Sequence, residues 1–437
     1  MNERPVAWLY DELPGLVSMG ILSADDADRL RQHYGPVAVE TRRNLGLAIC
    51  AILGSTLIGL GTILLFAHNW DDLSRPARTV LSFTPLVLGQ ILVGWTLTKR
   101  LESIPWREGS ALFLMAGIGC AIALIGQTYH IPGNMGAFLL TWMLLSVPLV
   151  YLVDASVPGA LYWVGLTAWA GFVQDEGGQA VLFWPLAAVM APHLWNAIRK
   201  DPYGFRAVAL TWSLGLCLCV ATGITLEKET PGLWIVVYSG LFATSYLLGH
   251  YAFASAPRLW QRPLHVLGAA GVVVVGLILT FEDPWEDIGW SHARHGAAYH
   301  QWAAIGDCVL AIGLLAASAV LLTWLVRKKR FDTVPFGLAG LVSLLGFALV
   351  AVGTPEEVGM ILFNAYLFAL GIIVLALGIH RGELATVNGG LLILAALIVT
   401  RFFDLNLSFT LRGIAFIAIG AGFLSANLLV RRKGEIQ

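Results

Sequence analysis

Val358-Gly-Met-Ile-Leu-Phe-Asn-Ala-Tyr-Leu-Phe-Ala-Leu-Gly-Ile-Ile-Val-Leu-Ala-Leu-Gly-Ile379 decides the fold. The run carries no charge, and only Asn364 and Tyr366 have polar side-chain atoms. Glu356 and Glu357 precede it and Arg381 follows it. A helix needs about 20 mostly apolar residues to cross the hydrocarbon of a bilayer. This stretch therefore reads as one transmembrane helix with an acidic end and a basic end. A transmembrane β-strand would instead show about 10 residues of alternating hydrophobicity.

The rest of the chain repeats the pattern. Of its 437 residues 57% are hydrophobic and 13% charged, against about 25% charged in ordinary soluble domains. Further blocks lie near 44–67, 77–98, 109–129, 134–153, 158–173, 179–197, 206–225, 232–251, 263–281, 303–326, 333–352, 384–400 and 410–430, which with 358–379 makes 14. The fifth and thirteenth are short, so 13 stays open. The expected fold is an all-α polytopic integral membrane protein. The first block follows about 40 polar residues and is too long for the apolar core of a cleavable signal peptide, roughly 7–15 residues.

Charge sorting gives an independent topology. With a cytoplasmic N-terminus, 21 of the 27 Lys and Arg fall on the inner side, including Arg42, Lys99, Arg100, Arg107, Arg199, Lys200, Arg206, Arg327 and Arg381. Only Arg75, Arg78, Lys228, Arg294, Arg401 and Arg412 fall outside. One mistaken crossing would scramble this sorting downstream of the error, so both termini are expected in the cytoplasm. The formal net charge of −1 offers no basic surface for a nucleic acid. The five cysteines, Cys50, Cys120, Cys217, Cys219 and Cys308, have no metal-type spacing and read as buried thiols in or beside spans.

The domain organisation follows: a cytoplasmic helical hairpin over 1–43, a membrane domain over 44–430 and a basic cytoplasmic tail over 431–437. In the hairpin, Val6 to Leu13 can form a short amphipathic helix and Gly20 can stop it. Ser23 followed by Asp26 reads as the N-cap of a second helix ending near Tyr34. So small a hairpin needs a surface to pack on. It holds no nucleophile, metal set or Gly-rich loop, and no catalytic residue is nominated there.

No predicted span carries an Asp, Glu, Lys or Arg near its centre, where Asp, Lys or Arg would cost about 2.5–3.5 kcal/mol. The candidate substrate-binding groups sit at span ends on the outside. They are Asp71 and Asp72 between the first two spans; Gln127, Tyr129, His130 and Asn134 after the third; and Arg401, Asp404 and Arg412 near the thirteenth. Gln127 and His130 share a helix face if the helix reaches that far. These segments are expected either to meet in one polar vestibule or merely to cap their own helices. Gln90, Asn364, Asn388 and Asn427 are candidates for hydrogen bonds between spans. His292, His295 and His300 in the acidic 282–301 loop are weak metal candidates, because their spacing matches no known ligand set. No metal or other cofactor is expected.

Three motifs carry a resemblance: the hairpin Gly20-Ile-Leu-Ser with Arg29-Leu-Arg and Tyr34-Gly, the loop Asn69-Trp-Asp, and Gln127-Thr-Tyr-His. Over about residues 10–150 the chain resembles the bacterial membrane-protein family called domain of unknown function 2157. The later half is more loosely similar to a companion family through Arg401-Phe-Phe-Asp404 and Arg412-Gly. The resemblance implies the bacterial cytoplasmic (inner) membrane, the lipid bilayer as surroundings, and a membrane or periplasmic protein partner. It implies no activity and no catalytic residues. Three functions stand as expectations. One is a transporter or flippase-like protein for a small or lipid-linked substrate. Another is a non-transporting scaffold or sensor working through the hairpin. The third is an intramembrane enzyme on lipid-linked substrates, with His130 and Asp71 or Asp72 as its acid/base pair; an enzyme is less expected than a non-enzyme. Substrate and oligomeric state are not legible.

Overall fold

A computed structural model describes residues 3–34, 70, 72–226, 232–253, 256, 258–286, 288, 301–404, 417, 420 and 421. All regular structure among them is helical. The predicted span 44–67 lies outside the described residues, as does 410–430 apart from residues 417, 420 and 421, and as do Asp71, Arg412, His292, His295 and His300. The chain divides into two compact units, Met1–Val80 and Leu81–Gln437.

The first unit begins with a helical hairpin, α1 (Glu3–Ser18) and α2 (Ala24–Tyr34). The expected first helix is longer at both ends and tolerates Pro14. Gly20 ends the hairpin's first arm at a φ of 71°, a conformation that costs glycine little. The cap is as expected: Ser23 Oγ accepts from Asp26 N at 3.1 Å and donates to Asp26 Oδ2 at 2.6 Å. Tyr10 donates to the carbonyl of Arg31 at 3.2 Å, tying the two arms.

The helix α3 (Arg75–Lys99) leads into the second unit. There α4 (Ile104–Tyr129), α5 (Met135–Val153), α6 (Ser156–Asp175), α7 (Phe183–Ala188), α8 (Ala191–Lys200) and α9 (Phe205–Thr225) follow. Next come α10 (Leu233–Ala252), α11 (Pro263–Ile278), the single turn α12 (Asp283–Glu286) and α13 (Gln301–Arg327). A short α14 (Val334–Gly337), α15 (Ala339–Ala351), α16 (Glu357–Arg381) and α17 (Leu384–Asp404) complete the series. Each of the twelve predicted spans within the described residues coincides with one of these helices or with a broken pair. Ten segments among the described residues are long and apolar enough to cross a bilayer. α6 is not among the ten, and α11 is shorter, at 16 residues.

Two buried clusters are the largest among the described residues of this unit. Tyr162, Trp163, Leu166, Phe183, Met190 and Leu210 are fully buried among α5 to α9. Leu247, Leu367 and Leu370 centre the other, where α10 packs on α11, α13 and α15, and α16 packs on α17. α9 meets α11 and joins the two. Asn364 makes an expected link between spans, its Nδ2 donating to the carbonyl of Thr280 at 3.1 Å. Cys217 is buried, but Cys308 is exposed, because its side of α13 faces outward where a bilayer would cover it.

Two spans are broken. The segment Ala180–Lys200 consists of a 3-10 turn (Ala180–Leu182), α7 and α8, interrupted at Val189 and Met190. A break inside hydrocarbon must find partners for its freed carbonyls within the protein. Tyr162 Oη donates to the carbonyl of Leu186 at 2.9 Å and Trp163 Nε1 to that of Ala187 at 3.1 Å. Tyr151 Oη donates to the carbonyl of Val189. The second break, before α15, is served by Tyr366, which donates to the carbonyl of Pro335 at 2.8 Å.

Candidate functional site

The segment 127–134 divides its work. α4 stops at Tyr129, and His130 adopts a left-handed conformation with φ 51°. Gln127 and His130 therefore do not share a helical face; Pro132 and Gly133 draw the chain into its turn before the helix can extend to His130. Gln127, Tyr129, His130 and Asn134 are all exposed. Asn134 is the N-cap of α5: its Oδ1 accepts from Ala137 N at 2.7 Å, and its Nδ2 donates to Glu176 Oε2 at 2.7 Å. Asn134→Ala should lower unfolding stability by about 1 kcal/mol, the usual value of such a cap. A melting curve of the purified variant that superimposes on the wild type would contradict this.

Elsewhere, Asp72 is exposed in the turn before α3, in the first unit. Arg401 places its guanidinium over the Phe281 ring, 4.9 Å from the centroid, and Asp404 ends α17. Of the candidates predicted to lie outside, the described residues bring together those of 127–134, which already adjoin in sequence.

A groove lies between α3, α4 and α5. Its volume is about 600 Å³ and its lining is apolar apart from the Gln90 amide. Small residues create it by letting both neighbours approach α4. A Cβ on Gly89 would fall 2.8 Å from Leu114 Cα, and one on Gly117 would fall 2.9 Å from the Pro85 carbonyl oxygen. On the other flank Gly119 lies under the Trp142 ring, whose Nε1 donates to the Met115 carbonyl at 2.7 Å. Between those contacts, Ile118 and Ile122 of α4 form the floor. Leu86 and Gln90 of α3 form one wall, and Leu145, Pro148 and Leu152 of α5 form the other. Along α3 the lining runs from Phe83 to Val93, about 15 Å at the helical rise.

The same contacts set the levels of the groove's ends. Its lining reaches Ile125 on α4, two residues before Gln127, and Leu152 on α5, two residues before Asp154. Asp154 is the centre of a charged cluster that sequence reading missed. It caps α5 in a left-handed conformation, φ 53°. Its carboxylate accepts from Arg206 Nη2 at 3.1 Å, Lys200 Nζ at 3.2 Å and Arg107 Nη1 at 3.4 Å. Its backbone carbonyl accepts from Arg206 Nη2 at 2.6 Å. Arg206 Nε also donates to Ser156 Oγ at 2.7 Å. Glu108 accepts from the N–H groups of Ser156 and Val157 at 2.7 and 2.8 Å, which suits the positive end of α6. His193, almost wholly buried just after the break between α7 and α8, sets Nδ1 3.6 Å from Asp154 Oδ1.

The electrostatics of Asp154 follow from this geometry. Partial burial works to raise its pKa, and the hydrogen bonds and charges of Arg206 and Lys200 outweigh that and lower it. The cluster ties four helices, α4, α5, α8 and α9, at one end of the bundle. Its basic members entered the sequence reading only as markers of membrane side. The available signal was Asp154 in a two-residue turn, at the same predicted membrane side as Arg107, Lys200 and Arg206. Among the described residues no group of three His, Cys, Asp or Glu side chains is placed to hold a metal ion.

Residues 14–159 match the family model described as predicted membrane protein (DUF2157). The match takes in the groove helices α3 to α5, Glu108 and Asp154. It agrees with the family that the hairpin, Asn69-Trp-Asp and Gln127-Thr-Tyr-His motifs resemble. It does not reach the later half, so the likeness to a companion family remains an expectation. No curated protein and no solved structure matches the chain.

Proposed function

We propose, with the membrane-family match of residues 14–159 as the premise, that this chain is a flippase-like protein that binds a lipid or lipid-linked substrate. On this reading it resides in the bacterial cytoplasmic membrane with 14 crossings and both termini inside. The observation that carries the reading is the groove between α3, α4 and α5. A soluble substrate would gain little from a wall of Leu, Ile, Val and Phe. A hydrocarbon chain gains close contact along its length without leaving an apolar surrounding. Gln90 supplies one amide within reach of a polar linkage. Polar groups stand near both ends: Gln127, Tyr129 and His130 outside, and the Asp154 cluster inside. A substrate whose chain stays in the groove while its head passes from one end to the other needs that arrangement.

The test is occupancy. Ile118→Trp fills the groove floor without adding charge. Native mass spectrometry of the purified wild type should show a co-purifying lipid, and the variant should lose most of it. A variant that folds and keeps the same lipid in the same amount overturns the reading.

A further inference from the structure

We infer that the groove's occupant is an anionic lipid of the cytoplasmic leaflet, its phosphate held at the inner end by Lys99, Arg100 and Arg107. This rests on the lipid reading above and adds the charge of the head and the membrane side from which it enters.

Antiparallel packing places the three cations at that end. Gly89 lies against Leu114, and Pro85 against Gly117, so each step down α3 is a step back along α4. Carried on, that register sets Thr96 beside Arg107, and the Trp95 and Trp106 rings do meet edge to face at 4.5 Å. On α4, Arg107 heads the same helical stripe as the groove residues Leu114, Ile118, Ala121 and Ile125. On α5, Leu152 lines the groove, and Asp154, two residues on, holds Arg107. Arg107 thus lies beyond the inner end of the apolar walls, about two helical turns from Leu114 on the same stripe.

Three further observations favour an anionic head. Arg107 Nε is buried and has no hydrogen-bond partner, so this guanidinium keeps one donor unused. Lys99 and Arg100 are exposed where α3 ends, and the Arg100 guanidinium lies 5.8 Å from the centre of the Trp95 ring. Trp at the head-group level is the usual arrangement for an amphipathic ring. Glu102 shares this turn, while Glu108 and Asp154 are already engaged by backbone N–H groups and by cations. Toward the other end, residues 126–135 contain no Lys or Arg, and of the two cations that start α3, Arg75 and Arg78, Arg78 already donates its Nε to the Leu73 carbonyl at 3.0 Å.

The experiment presents delipidated full-length protein with equal amounts of dioleoyl phosphatidic acid and dioleoyl phosphatidylcholine and counts retained lipid by native mass spectrometry. A basic residue near an anionic head is worth about fivefold in binding. The wild type should therefore retain phosphatidic acid several-fold over phosphatidylcholine. The double variant Lys99→Gln/Arg100→Gln should lose most of that preference while still binding lipid. Arg107 stays in place because removing it also unties Asp154. Equal retention of both lipids by the wild type overturns the inference, and so does an unchanged preference in the double variant. Ile118→Trp separates the two readings. If it abolishes binding while the wild type shows no preference, the groove reading survives and the charge inference fails. If it leaves binding intact, the groove reading itself fails.

Discussion

Gly268→Ala is expected to destabilise the protein by about 2 kcal/mol, the range for forcing atoms into a filled interior. A Cβ on Gly268 would fall 2.3 Å from Tyr246 N, 2.6 Å from Tyr246 Cα and 2.7 Å from the Phe242 carbonyl oxygen. These are backbone atoms of α10, so no rotamer change can relieve the overlap. α10 and α11 must separate, and the contacts around Tyr246 and Leu247 loosen with them. Gly249 has the mirror role, its absent Cβ facing His265 N at 2.3 Å. Lipid is as apolar as the helix surface, so association inside a membrane depends on close van der Waals approach, which small residues permit. Gly94→Ala is the control. It stands in a helix with nothing within 4 Å of a new Cβ, and alanine there should be neutral or stabilising by up to about 1 kcal/mol. Unfolding both variants in a denaturing detergent series checks the pair. Equal stabilities would remove the argument.

The other large effect concerns Asp154. Asp154→Ala removes the carboxylate shared by Arg107, Lys200 and Arg206 and puts a Cβ-bearing residue without a polar side chain in a left-handed conformation. Losing one partner of a buried ion pair costs about 3–5 kcal/mol. The Asp154 side chain is about a third exposed, so solvent screening reduces that to about 2 kcal/mol. Asp154→Asn keeps a residue that tolerates the left-handed region and one acceptor oxygen, while it removes the charge and the second acceptor. Its loss should be smaller than that of Asp154→Ala, and the difference combines the backbone share with the retained acceptor.

The sign with pH is determinate. The pKa of Asp154 in the folded protein is lowered. Its contribution is therefore present above the unfolded value, about 3.9, and is lost as pH falls through the lower folded value. The wild type should lose more stability than Asp154→Asn on acidification below about pH 4. Parallel acid profiles for the two proteins would show that the carboxylate does not engage its cations.

The parts legible in the sequence are those dictated by the solvent. Val358–Ile379 had to be a helix because a bilayer offers its backbone no other partner, and α16 spans Glu357–Arg381. Ser23 and Asp26 are three apart and cap α2 through contacts that need only local chain. Asn134 is similar: it precedes an apolar run and caps α5. Gln127 and His130 share a face only if the helix reaches His130; periodicity does not say where a helix stops, and His130 leaves it at φ 51°.

Composition and charge order thus determined, without coordinates, that the chain is a series of apolar helices, and nearly where each begins and ends. Tertiary structure alone decided which of them touch. Arg107, Asp154, His193, Lys200 and Arg206 are separated by as many as 99 residues and meet because α4, α5, α8 and α9 end at one level. The groove exists because Gly89, Gly117 and Gly119 let α3 and α5 draw close to α4 without meeting over its floor. The physical reason is one of range. Hydrophobicity and capping act within a helix's own turns and are written in adjacent residues. The gaps and charge clusters between helices depend on crossings at which each glycine sets a distance to a partner remote in sequence.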